Sequence, residues 1–298
     1  IDSNYADAYI GLAHCYANNV NFGWNSNVSW LNLAEEMLQK AQKIDPDLPD
    51  YYPTLIEVYL LKDTVFDVDL NESAFQLAQE GIKKYPNHAQ MNSITGYCYL
   101  RRFGGEGNEA DFEKALEYKD KSFWLNTYAS HNFLVAILLM LDRKFDLALN
   151  RLDIAKNYAP PQMADFTYGE IFYYKGDLDK SKEIFLQMEM PTEMKVGALL
   201  YMSMIAAQRG DKSEVQRIIQ DINNQSPDEN YFFEMPLRLA SIYMGIGERE
   251  LGYKYLKSFF SSERAKKMHY VYSKYVDLDK NFDSVRNDEE LKKILSKE

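Results

Sequence analysis

A pattern of paired helices recurs along nearly the whole chain, and no other feature of the sequence constrains the fold as much. In the clearest copy, residues 196–227, Leu199, Met202, Ser203 and Ala206 share one helical face. Gly210-Asp211 makes a turn, Val215, Ile219 and Ile222 share a second face, and Pro227 closes the unit. Spacings of three and four place such residues on one side of a helix. A second copy has Gly169 and Phe172, the turn Lys175-Gly176-Asp177, then Ser181, Phe185 and Pro191, and a third has Val135, Ala136, Leu139, Ala148, Leu152, Ala155 and Pro160. Nearer the beginning, Tyr9, Leu12, Ala13 and Tyr16 lead to Ala34, Leu38, Ala41 and Pro46. Tyr52, Leu55, Ile56 and Tyr59 then lead to Ala74, Ala78, Gly81 and Pro86, and Asn92, Gly96 and Tyr99 to Ala115 and Ser122. A seventh copy has Leu239, Ala240, Tyr243, the turn at Gly245–Glu248, then Gly252, Leu256 and Phe259. Residues 18–32, 63–72 and 102–111 read as longer polar or glycine-containing connections, with Gly104-Gly105-Glu106-Gly107 as loop.

Small residues at the Gly96/Ala136/Gly169 and Ala34/Ala74/Ala148 positions let the helices of a pair approach closely. Large ones at Tyr16/Tyr59/Tyr99/Phe172/Tyr243 fill the gap to the next pair. Such a pair cannot bury its apolar face alone, so pairs must stack. Seven copies in phase, spaced near the family's period of about 34 residues, resemble the tetratricopeptide repeat (TPR) family. The resemblance implies an all-α, right-handed superhelical solenoid of about seven pairs over residues 1–276, then a capping tail over 277–298. Ile1-Asp2-Ser3 matches the end of a second helix, as Ile44-Asp45-Pro46 does, so the chain is expected to begin inside an array, with an earlier helix before Ile1.

Residues 263–276 read as one more helix. The stretch from Tyr231 through Leu239, Ala240, Tyr243, Gly245, Gly247 and Leu256 follows the pattern Y…A-x-x-Y-x-x-L-G…A-x-x-x-L. The tail follows with Asp279, Phe282, Asp283, Val285, Arg286, Asp288 and Leu291 of D-P-x-F-D-x-L-R-x-D-x-x-F, with Lys280 for the proline and Val285 for the leucine. This end is similar to the C-terminal TPR arrays of bacterial signalling proteins of the adenylate cyclase-like, Ser/Thr kinase-like and winged-helix regulator types. That likeness implies a cytoplasmic sensor or scaffold serving an upstream effector domain. Phe282, Val285, Leu291 and Leu295 are expected to cover the open end of the seventh pair.

The sequence carries no H-E-x-x-H, Walker A, G-x-S-x-G or G-x-G-x-x-G motif, so no catalytic residue, cofactor or metal is expected. The four histidines, at 14, 88, 131 and 269, fall in different repeats. Asp67-x-Asp69-x-Asn71 and Asp277-x-Asp279-x-Asn281 start like calcium loops but lack the glycine at position six and the closing glutamate. Cys15 and Cys98 share a register whose other members are Val58, Leu138, Ile171, Ile205 and Ile242, which predicts two buried, unpaired thiols. The net charge of −11 disfavours nucleic acid, and no apolar run approaches the ~20 residues of a membrane span.

The family's groove positions, three before and one, four and five after the small first-helix residue, carry mostly apolar and aromatic side chains here. The strongest candidate partner site on them is Glu57, Tyr97, Arg101, Phe166, Glu170, Tyr173 and Tyr174. Aromatic anchors dominate interface energies, and the two glutamates would select a basic or N-terminal group of a protein or peptide. The Lys/Asn set that other TPRs use to clamp a terminal carboxylate is missing. A small-ligand or glycan sensor is the alternative, and an enzyme with an unrecognised carboxylate site a weaker one. The tyrosines have a second reading as packing inside the superhelix.

Overall fold

Seven helix pairs make up the computed structural model, which describes residues 5–21, 27–126, 133–158, 161–188, 192–225 and 233–297. They are α1 (Ala6–Asn21) with α2 (Ser29–Ile44), α3 (Tyr51–Phe66) with α4 (Asn71–Lys84), α5 (Ala89–Glu106) with α6 (Glu109–Leu125), and α7 (Phe133–Leu141) with α8 (Phe145–Ala155). Then come α9 (Pro161–Lys175) with α10 (Leu178–Gln187), α11 (Thr192–Gln208) with α12 (Lys212–Gln225), and α13 (Met235–Gly245) with α14 (Arg249–Ser261). The chain ends with α15 (Glu263–Lys267), α16 (His269–Leu278), a 3-10 helix (Lys280–Val285) and α17 (Glu289–Leu295). No strand occurs among the described residues, and the fold is all-α, of the helix-pair solenoid class. No described helix is long and apolar enough to cross a membrane. Trp24, His131, Pro160, Pro191, Pro227 and Tyr231 lie outside the described residues.

The spacing of small residues works as expected. Ala34, Ala74, Ala78, Ala115 and Ala148 have no exposed surface. At Gly169 a β-carbon would stand 2.5 Å from the ring of Phe185 on the partner helix, so only glycine allows α9 and α10 to close to this distance. The expected long connections are mostly helix instead. α3 runs on to Phe66, leaving residues 67–70 as the link, and α5 runs on to Glu106, taking Gly104 and Gly105 into its last turn before Gly107 turns left-handed at φ 75°. The helix at 263–276 is broken at Met268 into α15 and α16.

The described chain divides into two compact units: residues 1–103 with 108–127, and residues 104–107 with 128–298. In the first, one core centres on Leu31, Ala34, Leu38 and Val58, and a second on Ile56, Ala74, Ala78 and Met91. Cys98 is buried, its Sγ 3.9 Å from the carbonyl of Ala74 on the preceding pair, and burial pushes its thiol up to about 12. Cys15 corrects the shared-register expectation, since it is exposed. Native-state labelling with a thiol reagent should therefore modify Cys15 rapidly and Cys98 only on opening of the fold. Equal fast rates for both would contradict the buried environment of Cys98.

In the second unit the tail packs in two places. α17 lies on α14 and α16, where Tyr253 donates to Asp288 at 3.0 Å and Lys257 pairs with Glu290 at 2.5 Å. Leu291 is buried and Leu295 half-buried there. The 3-10 helix, with Phe282 and Val285 buried, packs instead on the first helices α11 and α13. The tail thus occupies the face made by the first helices of the fifth to seventh pairs, the face on which the groove positions sit.

Candidate functional site

Glu57, Tyr97 and Arg101 belong to the first unit, and Phe166, Glu170, Tyr173 and Tyr174 to the second. The seven are therefore described as two sets.

In the first unit, Thr54 and Glu57 lie one turn apart on α3, opposite His14 of α1. Thr54 donates its single hydroxyl proton to the carbonyl of Asp50 at 2.7 Å, so the contact of 3.0 Å between its Oγ1 and Nε2 of His14 has the imidazole as donor. Nδ1 of the same ring stands 3.4 Å from Glu57. The neighbouring Glu57 carboxylate raises the His14 pKa above its ordinary value, against an opposing effect of burial. Asp50 lies 3.3 Å from Nε2 of His88, which lowers its carboxyl. His14, Glu57 and Tyr97 are half-buried, and Asp7 is exposed on the same helix as His14. Arg101 is not free for a partner: it is buried in an ion pair with Asp63 and donates to Thr64 at 2.8 Å.

In the second unit, Glu170, Tyr173 and Tyr174 are buried and Phe166 half-buried. Glu170 accepts from Tyr201 at 2.6 Å and from Arg238 at 3.3 Å, and Arg238 also reaches Glu234 at 2.9 Å and the hydroxyl of Tyr174. Burial raises the Glu170 pKa even so. The guanidinium of Arg238 lies over the rings of Tyr201 and Tyr275, at 4.8 and 5.1 Å. Tyr173 donates to Asp279 of the tail at 2.7 Å, and Ser241 donates to the same carboxylate at 2.6 Å. Asn281 donates to Met204, Ser241 and Tyr173 at 3.0–3.2 Å. Burial raises the pKa of Asp279, opposed by the hydroxyls of Ser241 and Tyr173. Titratable groups converge here, but each carboxylate is hydrogen-bonded to the chain itself.

Sequence reasoning missed Arg238, Tyr201 and Thr54. All three stand two residues before the small first-helix position, and therefore one turn from the groove positions Ser241, Met204 and Glu57. Extending the groove set by that one register would have found them. In the Asp277-x-Asp279-x-Asn281 series, both carboxylate oxygens of Asp279 accept from hydroxyls of α9 and α13, and the amide N–H groups of Asn281 are directed to α9, α11 and α13. No group of ligating side chains suited to a metal occurs among the described residues.

No protein-family model matches the sequence, and neither does any curated protein sequence. Solved structures do match in fold. A tetratricopeptide repeat protein from Parabacteroides merdae superposes with a TM-score of 0.59 at 15% identity, over 92% of this chain and 99% of that one. PilF of Pseudomonas aeruginosa gives a TM-score of 0.51 at 13% identity, over 78% of this chain and 96% of that one. At these identities the likeness establishes the fold.

Proposed function

We propose that the chain is a protein-interaction module that receives a partner segment on the first-helix face of its N-terminal unit. The corresponding face of the C-terminal unit is filled by the chain's own residues 275–285. The carrying observation is the contrast in occupancy. Glu170, Tyr173 and Tyr174 are buried under the tail, whereas His14, Glu57 and Tyr97 keep part of their surface, and Asp50 keeps half of its side chain exposed. Asp50 and Glu57 place carboxylates on this face, beside His88 and His14, which favours a basic or N-terminal group, and Tyr97 supplies an aromatic anchor. The same face would serve either a separate protein or an effector domain on the same polypeptide, the arrangement implied by the resemblance to signalling proteins. An enzymatic reading gains no support from the buried carboxylates, which are turned toward partners in their own chain.

Selection from a random peptide library displayed with free N-termini tests this reading. Enriched peptides should carry Lys, Arg or a required N-terminal amine, and their binding should weaken with salt. Glu57→Lys and Tyr97→Ala should each cost tenfold or more in affinity while the urea midpoint changes little. Selected peptides indifferent to both substitutions would move the site off this face.

A further inference from the structure

We propose that the C-terminal unit holds a binding site for a small organic phosphate, in a recess of about 510 Å³ between the ends of α7 and α9 and the α16–3-10 segment. The chain as a whole has 45 acidic against 34 basic residues, yet this recess is lined by four cations, Arg143, Lys274, Lys280 and Arg286, against two carboxylates, Asp277 and Asp283. Asp283 is already held by Nε of Arg286 at 2.7 Å. Asp277 lies 3.9 Å from the same guanidinium, and its carbonyl accepts from Arg143 at 2.9 Å. Lys280 is exposed and forms no ion pair with a described carboxylate; its Nζ stands over Gly176 at the end of α9. Like charges gathered in one concavity raise its potential and favour an anion.

Arg143 supplies an independent observation. At the ends of α9, α11 and α13 the turn to the second helix passes through Gly176, Gly210 and Gly247, with φ of 93°, 73° and 82°. In each, the glycine N–H bonds back three residues and the next N–H bonds back five, and Arg143 and Lys144 repeat this pattern at the end of α7. Arg143 thus takes φ 59° where the three other pairs use glycine. A left-handed conformation is unfavourable for a long side chain. Arg143, the residue that replaces glycine in this set of turns, is itself part of the lining of the recess.

The chemistry of the lining selects the ligand class. Guanidinium groups match phosphate oxygens in paired hydrogen bonds, and ammonium groups add point charge. Arg286 is already oriented, because it also donates to the carbonyl of Asp279 at 2.9 Å. Leu141, Leu278 and Tyr174 form an apolar wall for the organic part of the ligand. Arg143 comes from the helix pairs, Lys274 from α16, and Lys280 and Arg286 from the tail, so a bound phosphate bridges these elements. The inference is independent of the partner assigned to the N-terminal face.

Isothermal titration of the full chain at low ionic strength with pyrophosphate, and with ATP in the absence of metal, tests it. Both should bind saturably at one site per chain, ATP the more tightly because of the apolar wall. Lys280→Glu and Arg143→Gly should each weaken binding at least tenfold with helicity and urea midpoint retained, glycine being the residue the turn geometry prefers. Lys212→Glu, a charge change on an exposed part of α12, should leave binding within twofold. Absence of saturable binding by either probe at millimolar concentration would overturn the site. So would binding that falls equally in Lys212→Glu, which would mark general surface attraction.

Discussion

Arg238→Met should destabilise the C-terminal unit by about 3–5 kcal/mol at pH 7, the usual cost of leaving a buried charge without its partner. Arg238 keeps 4% of its side-chain surface and Glu170 keeps 8%. Without the guanidinium, Glu170 retains the Tyr201 hydroxyl as a hydrogen-bond donor. Its carboxyl is already raised by burial, and the substitution pushes it further up. The sign follows from proton linkage. A carboxyl whose folded pKa lies above its unfolded value costs stability at high pH, and that cost disappears as pH falls through the folded pKa. The loss in Arg238→Met should therefore shrink on acidification. Glu170→Gln in the same chain should recover most of the stability at pH 7, because an amide carries no charge to desolvate. Urea titrations of the four proteins of this double-mutant cycle measure the coupling directly. A single variant as stable as the parent would show that the pair carries no net weight.

This network also bears on how much of the molecule could be read in advance. The helix pairs were legible because their signal is local: small residues at fixed offsets, turns at Gly176, Gly210 and Gly247, and apolar faces at helical spacing. Within the pairs, Cys98 followed its register into the core and Cys15 did not. The path of the tail was not legible in the same way. Asp279 and Asn281 read as part of a tail motif and of an incomplete calcium loop, and they are buried through hydrogen bonds to residues 38 to 108 positions away. No pattern in the tail alone encodes that. The complementary groups are hydroxyls and a carbonyl on three different helices, which come together only after the pairs have stacked.

The same reasoning divides the candidate residues by energetic role. Tyr173 and Tyr174 have the composition of interface anchors, and aromatic residues at groove positions invite that reading. In the fold their hydroxyls are committed to Asp279 and Arg238, so truncating either removes a buried hydrogen bond as well as a ring. The candidates on the N-terminal unit that keep accessible surface, Glu57 and Tyr97, are the ones whose substitution can report on binding separately from stability.

Lys119→Met should stabilise the N-terminal unit at neutral pH by about 2 kcal/mol, an unusual direction for a substitution in a packed region. Lys119 is 6% exposed and donates to Ser93 at 2.9 Å, and burial lowers its pKa to about 8 from 10.5. Its stem lies along Gly96, and the ammonium lies 5.8 Å from the Tyr97 ring. A shift of that size corresponds to about 3 kcal/mol at 1.36 kcal/mol per pKa unit, from which the lost hydrogen bond to Ser93 subtracts about 1 kcal/mol. The folded pKa is depressed, so below pH 8 both states are protonated and the folded state bears the full cost of the buried charge. Between pH 8 and 10.5 the folded state sheds its proton while the unfolded chain keeps it, and stability rises with pH. The advantage of Lys119→Met should therefore be greatest at pH 7 and fade as pH approaches 10.5. Comparing the two proteins at each pH cancels the titration of the tyrosines common to both. Urea unfolding at pH 7, 9 and 10 measures the trend, and a variant less stable than the parent at pH 7 would mean that the ammonium is better solvated than its burial implies.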